Sequence, residues 1–149
     1  MIRKLAHLCL VTDQLDNMID FYTNKIGFNI KFIFRNADGQ IFGYYLETGD
    51  TTFVEIFDRV LKHKQWGGSS ELAPLKFGDQ INHFCFEVTG MREHIALLES
   101  RGVKVGNVKT AMDYSHQAWI SDPDGNHIEF MEYTAASWQF LGNGDTTWK

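Results

Sequence analysis

His7-Leu8-Cys9-Leu10 and His83-Phe84-Cys85-Phe86 are two versions of one strand-like segment, and they start 83 − 7 = 76 residues apart. Each copy continues through a helical pattern and a glycine to a last strand that carries a glutamate. These glutamates, Glu55 and Glu129, lie 129 − 55 = 74 residues apart. A period of this length predicts two copies of one supersecondary unit. Chance similarity is the alternative, but the helix, the glycine and both polar residues recur in the same order.

The first copy predicts the element order β-α-β-β-β. Alternation over residues 5–11 favours a strand, with Leu5, His7, Cys9 and Val11 on one face. Asp13 is predicted as the N-cap of a helix that follows the 3.6-residue period to Ile26 and ends at Gly27. The three further strands are predicted at residues 28–34, 40–47 and 51–57, with turns at 36–39 and 48–50.

The second copy predicts the same order. A strand at 82–88 precedes a helix from Met91 to Ser100 that Gly102 ends. Strands are expected at 103–109, 116–121 and 127–133, and Asp122-Pro123-Asp124-Gly125-Asn126 between the last two is a strong turn signal. The sequence therefore predicts an α+β protein with two tandem βαβββ modules.

The domain organisation follows from this repeat. We expect a single domain over residues 1–149, with module one at 3–58, a loop-like linker at 59–80, module two at 81–133 and a tail at 134–149. Long loops in compact domains are often functional. The tail contains Trp138, Phe140 and Trp148, which are expected to pack on the body or on a partner chain. Because exposed aromatic patches are unusual on small monomers, the sequence predicts a homodimer.

Composition narrows the class of protein. Hydrophobic residues make up 44% of the 149 residues and the net charge is −5, which is typical of a folded, mildly acidic protein. The basic residues form no stripe, so nucleic acid is not an expected partner. No apolar run is long enough to span a membrane, and Met1-Ile2-Arg3-Lys4 has no signal-peptide character, so a cytoplasmic location is expected. Cys9 and Cys85 are expected to be reduced thiols that fill buried space.

The duplicated pairs predict a metal centre. His7 and His83 each open the first strand of their copy, and Glu55 and Glu129 each lie in the last. Neutral imidazole and carboxylate are ligands that divalent ions prefer. A single histidine or glutamate in a strand is usually structural or solvent-facing, but that interpretation does not explain why both recur at equivalent places. The four residues are therefore the predicted ligands of one divalent ion.

These motifs resemble those of the vicinal oxygen chelate superfamily, which includes glyoxalase I, methylmalonyl-CoA epimerase, extradiol dioxygenases and bleomycin- or fosfomycin-resistance proteins. The matching elements cover residues 5–133. They are His7, Asp20-Phe21-Tyr22 with Ile26-Gly27-Phe28, Val54-Glu55-Ile56, His83, and the 122–126 turn with Ile128-Glu129. The resemblance implies a curved mixed sheet around a metal-binding cleft, a small-molecule substrate with vicinal oxygens, and a homodimer.

The ligand order His, Glu, His, Glu is similar to that of glyoxalase I. This resemblance implies Ni²⁺ or Zn²⁺, with Fe²⁺, Mn²⁺ or Co²⁺ as alternatives. It also implies a lyase or isomerase that abstracts a proton next to a carbonyl through a metal-bound enediolate. Glu129 is the predicted base and Glu55 its symmetric counterpart. Whether one chain or a dimer completes the site is left open.

Glutathione is not an expected cosubstrate. Val11 and Arg59 stand where bacterial glyoxalase I commonly carries an arginine and an asparagine that hold it. Arg59 is instead predicted to bind another anionic group of the substrate. His116, before the second copy's turn, and Trp119 are further predicted substrate contacts, although His116 also fits a purely structural role.

Two other classes of function stay open at this stage. One is a non-haem Fe²⁺ dioxygenase of the extradiol type, which a second carboxylate ligand argues against. The other is a resistance-type protein that binds a small molecule without catalysis.

Overall fold

The computed structural model describes residues 4–67, 75 and 81–141. The chain divides into two compact units, Met1–Lys76 and Phe77–Lys149, which match the two predicted modules. Each unit contains a four-stranded mixed sheet, so the α+β class and the repeated βαβββ order are confirmed.

Unit 1 has its four strands in the order β1-β4-β3-β2. Strands β1 and β4 are parallel, and the other neighbours are antiparallel. The elements are β1 His7–Thr12, α1 Leu15–Asp20 with a π-helical continuation Phe21–Ile26, β2 Asn29–Arg35, β3 Ile41–Gly49, β4 Thr52–Asp58 and α2 Arg59–Trp66.

The core of unit 1 lies between α1 and one face of its sheet. Met18 and Tyr22 are fully buried on the helix, and Val54 and Ile56 are buried on β4. Because strand side chains alternate, Glu55 between them faces the other side of the sheet. The burial that holds the unit together thus turns Glu55 away from the core.

The predicted N-cap of α1 is wrong. The cap residue is Gln14 and no side chain caps the helix. The Asp13 carboxylate instead forms a two-pronged ion pair with Arg59, whose Nε lies 2.7 Å from Asp13 Oδ1. The predicted end of the helix is confirmed, since Gly27 has a φ of 99°, a left-handed conformation that favours glycine.

Unit 2 repeats the topology in the order β5-β8-β7-β6, with β5 and β8 parallel. Helix α3 has its predicted bounds, and the Asp122 carboxylate holds the predicted turn by accepting hydrogen bonds from the backbone of Asp124 and Asn126. The elements are β5 His83–Glu87, α3 Met91–Ser100, β6 Lys109–Thr110, β7 His116–Ser121, β8 His127–Glu132 and α4 Trp138–Leu141.

Two predicted boundaries are corrected. The strand expected at 103–109 is reduced to the two residues of β6, because only Lys109 and Thr110 pair with β7. The linker at 59–80 is not a loop throughout, since it begins with the eight residues of α2. There the Asp58 carboxylate accepts a hydrogen bond from the backbone N–H of Leu61 and caps the helix. Apart from Leu75, residues 68–80 lie outside the described part.

The tail packs partly on its own unit. Trp138 meets Tyr114 edge to face with ring centroids 5.9 Å apart, and Phe140 meets Tyr133 at 5.1 Å. Phe140 is still 65% exposed. Trp148 lies outside the described residues, and the homodimer stays a prediction.

In the described part of the chain, each helix is too short or too polar to cross a lipid bilayer.

Gly43 marks a tight approach between β3 and the aromatic side chain of β4. A Cβ at this position would lie 2.1 Å from the Phe57 ring, and Phe57 is 2% exposed. Gly43→Ala should therefore destabilise the protein by about 1–3 kcal/mol, because a buried ring must move. Urea unfolding followed by fluorescence measures this change.

Phe57→Leu supplies the control for Gly43→Ala. If the ring is the obstacle, Gly43→Ala should cost less stability in the Phe57→Leu background than in the wild-type chain. Equal costs in both backgrounds would contradict the proposed clash.

Candidate metal centre

The first predicted ligand pair comes together on one face of unit 1. Parallel pairing places Cys9 opposite Glu55, so His7 is a diagonal neighbour of the glutamate. His7 Nε2 lies 3.5 Å from Glu55 Oε2. On the other side of Glu55, Tyr45 is its partner in β3, and the Tyr45 hydroxyl lies 3.3 Å from His7 Nδ1.

The second pair has the same arrangement in unit 2. Cys85 lies opposite Glu129, and His83 Nε2 is 3.2 Å from Glu129 Oε2. Trp119 is the partner of Glu129 in β7, and its ring meets His83 edge to face at 4.8 Å. The Glu129 side chain is more buried than that of Glu55, at 5% against 17% exposure.

Sequence reasoning missed Tyr45. It corresponds to Trp119 by a step of 119 − 45 = 74 residues, the same step that relates the two glutamates. The shared step is the signal that would have found it. Each unit therefore supplies a histidine, a cysteine, a glutamate and an aromatic residue at matching strand positions.

The second pair has the chemistry of a cation site. The Asn82 Oδ1 atom, 2.9 Å from His83 Nδ1, can only accept a hydrogen bond, so Nδ1 carries the proton. In a neutral imidazole, Nε2 then has a free lone pair. This lone pair faces a carboxylate oxygen, and two acceptors 3.2 Å apart need a proton or a cation between them.

Glu129 has a further unmet requirement. Its Oε1 atom is buried and has no hydrogen-bond partner among the described residues. Burial raises the pKa of Glu129 and Asp113 adds to the increase, whereas His83 and Cys85 act in the opposite direction. A buried carboxylate oxygen without a donor is costly, and a bound cation would remove that cost. The residues therefore fit a divalent ion.

Each pair belongs to its own unit, and the two are described separately. In the described ranges, no group of three or more His, Cys, Asp or Glu side chains is arranged to hold a metal. The four-residue ligand set stays a prediction.

The cysteines differ from expectation. Cys9 and Cys85 are free thiols, but both residues are exposed rather than buried. Partial desolvation of each thiol and the neighbouring carboxylate raise the pKa of Cys9 to about 11 and that of Cys85 to about 12. The thiols therefore stay protonated at neutral pH in the metal-free protein.

The predicted substrate contacts receive different placements. Trp119 lies on the same face as Glu129, beside His83. Arg59 opens α2 and is engaged by Asp13, which raises the pKa of the guanidinium. This pairing does not favour the predicted role in binding a substrate anion.

His116 is placed against its predicted role. It is three residues before Trp119 in β7, so alternation puts it on the other face of the sheet from Glu129. Its Nδ1 lies 3.2 Å from Thr110 Oγ1. The structure does not bring His116 together with the His83–Glu129 pair, and the structural role fits better.

The fold and the paired His–Glu geometry agree with a comparison against known families. The family model described as Glyoxalase/Bleomycin resistance protein/Dioxygenase superfamily matches residues 4–130. The chain belongs to this superfamily.

Individual relatives differ in what they do. The chain is 30% identical over 141 residues to a protein of Bacillus subtilis (strain 168) described as a probable trivalent organoarsenical cleaving enzyme, covering 90% of this chain and 82% of that protein. A solved lactoylglutathione lyase from Agrobacterium tumefaciens is similar with a TM-score of 0.63 and 21% identity, covering 87% and 92%. An antibiotic binding protein from Streptomyces sp. CB03234 gives 0.63 and 23%, covering 89% and 98%. At these identities the solved structures show the shared fold alone.

Proposed function

We propose that the protein is a metal-dependent lyase or isomerase of the glyoxalase I type. The observation that carries this proposal is the repeated His–Glu pair, in which an imidazole Nε2 faces a carboxylate oxygen at 3.5 Å in one unit and 3.2 Å in the other. A dedicated binding protein has no need of such a pair in each unit.

The proposed ligands are His7, Glu55, His83 and Glu129. Two neutral imidazoles and two carboxylates suit Ni²⁺ or Zn²⁺, with Fe²⁺, Mn²⁺ or Co²⁺ as alternatives. Each pair supplies two donors, so a four-donor site needs both pairs, from one chain or from two. When bound, such an ion supplies Lewis-acid polarisation of a substrate carbonyl.

Glu129 is the proposed base. It is the more buried carboxylate, and its Oε1 has no partner among the described residues, so this oxygen is available to a substrate proton. In the proposed reaction, Glu129 removes a proton from the carbon next to the carbonyl and returns it to the neighbouring carbon. The apolar side of Trp119 beside His83 would limit the access of water to this proton.

The metal content of the purified protein is the first test of the proposal. We expect about one divalent ion per His7, Glu55, His83 and Glu129 set, measured by plasma mass spectrometry. Metal-loaded protein should then exchange protons in deuterated water with 2-oxoaldehyde adducts, hydroxyketones or acyl-CoA compounds. Protein without bound metal after reconstitution would overturn the proposal.

Glutathione hemithioacetals should be poor substrates. Val11 has no group that can pair with a carboxylate, and Arg59 is already paired with Asp13. We expect kcat/KM for the methylglyoxal adduct to lie below the range of about 10⁴–10⁸ M⁻¹s⁻¹ typical of good enzymes. A value inside that range in a lactoylglutathione assay would contradict the prediction.

A second candidate function is the cleavage of a trivalent organoarsenical. The Bacillus subtilis relative at 30% identity suggests it, and this chain places a thiol opposite each glutamate of the proposed centre. Trivalent arsenic is a soft centre that thiols bind well. Release of arsenite from phenylarsine oxide, lost in a Cys9→Ser and Cys85→Ser double variant, would favour this function over the first.

The two remaining classes can be separated by simple measurements. Consumption of O₂ during turnover would indicate a dioxygenase. Tight binding of an antibiotic by metal-free protein would indicate a resistance-type protein. The homodimer and the cytoplasmic location stay predictions.

A further inference from the structure

The Nδ1 atom of each proposed ligand histidine has a different kind of partner in the two units. In unit 2 it lies 2.9 Å from Asn82 Oδ1, on the residue just before His83. In unit 1 it lies 3.3 Å from the hydroxyl of Tyr45, which comes from the opposing part of the sheet. Both Nε2 atoms point to a glutamate.

The sequence repeat shows that these partners replace one another. The residue equivalent to Asn82 in the first copy, 76 positions earlier, is Ala6, whose methyl group makes no hydrogen bond. The residue equivalent to Tyr45 is Trp119, whose indole N–H can only donate. Each unit thus keeps one residue able to hydrogen-bond Nδ1, and takes it from a different position.

The two partners differ in what they impose. A carboxamide oxygen only accepts, so Asn82 requires the proton of His83 to be on Nδ1 and leaves the Nε2 lone pair free. A phenol both donates and accepts, so Tyr45 is compatible with either tautomer of His7. Hydrogen bonds to the remote nitrogen commonly fix the orientation of metal-binding histidines.

We propose that Asn82 is a positioning residue that holds His83 in the Nδ1–H tautomer before any metal binds. This inference rests on the proposed function, because it assigns His83 Nε2 as a metal donor. Unit 2 then presents a pre-formed donor, whereas His7 adopts its metal-binding tautomer only when the ion is present. Loss of Asn82 should therefore weaken metal binding more than loss of the Tyr45 hydroxyl.

The first experiment uses the full chain without metal. Nitrogen-15 NMR of the histidine rings reports which nitrogen carries the proton. We expect the Nδ1–H tautomer for His83 in the wild-type protein and in Asn82→Asp, which keeps an acceptor oxygen. In Asn82→Ala we expect the mixture of tautomers that an imidazole without this partner adopts.

The second experiment measures Zn²⁺ affinity by competition with a chromogenic chelator. We expect Asn82→Ala to bind about 10–100-fold more weakly, as is usual when such a partner is lost, and Asn82→Asp to restore the affinity. Tyr45→Phe should have the smaller effect. Asn107→Ala, at an exposed asparagine of the same unit, is the matched control and should leave the affinity unchanged.

The outcomes separate this inference from the proposed function. A His83 tautomer that is the same in wild type and Asn82→Ala would overturn the inference, even if the variant lost metal. Zn²⁺ affinity in Asn82→Ala within twofold of the wild-type value would also overturn it. If the wild-type chain bound no metal at all, the proposed function would fail, and the tautomer measurement on metal-free protein would still decide the role of Asn82.

Discussion

Glu129→Gln should lower proton-transfer activity by about 10²–10⁴-fold, the usual contribution of a general base. The substitution keeps the shape of a side chain that is only 5% exposed, but the amide cannot take up a proton under these conditions. Solvent deuterium exchange into the substrate, followed by NMR, measures the step directly. Glu55→Gln should lose less of this exchange, because Glu55 is the more exposed carboxylate.

Glu99→Gln is the matched control for charge. Glu99 is an exposed carboxylate on α3 of the same unit, and its removal should leave exchange unchanged. Retention of wild-type exchange by Glu129→Gln, with normal metal content, would show that another group is the base. A loss of exchange that is larger in Glu55→Gln would transfer the role to Glu55.

His83→Ala should reduce metal occupancy by about an order of magnitude or more. It removes one of the four proposed donors, and metal affinity depends on the number of ligands present. It also leaves the buried Glu129 oxygen without its closest cationic or imidazole partner. Plasma mass spectrometry after dialysis against a weak chelator, and the increase in melting temperature on adding metal, both report the change.

His127→Ala is a demanding control for this prediction. His127 lies next to His83 on the same face, as its partner in the parallel pairing of β5 and β8, but it is not a proposed ligand. Its Nδ1 lies 3.3 Å from Ser121 Oγ. Equal metal loss in both variants would replace the proposed ligand set with one that includes His127, and full occupancy in His83→Ala would refute it.

Much of the fold could be predicted from the repeat and from local signals. Helix α3 and strand β7 have their predicted bounds, and Gly27 ends the first helix as expected. These features depend on hydrophobic periodicity and on glycine conformation, which act over a few residues. The predicted ends that were wrong depended on distant partners. Asp13 does not cap α1 because Arg59, 46 residues later, binds its carboxylate.

The candidate site shows the same division. The sequence by itself determined that the chain carries two equivalent His–Glu pairs, because duplication leaves equal spacings that can be counted. Only the tertiary structure decided that His116 faces away from Glu129, that Arg59 is engaged by Asp13, and that Asn82 and Tyr45 hold the histidines. Strand register and side-chain hydrogen bonds set these relations, and both arise between residues whose separation in the sequence does not predict their distance in space.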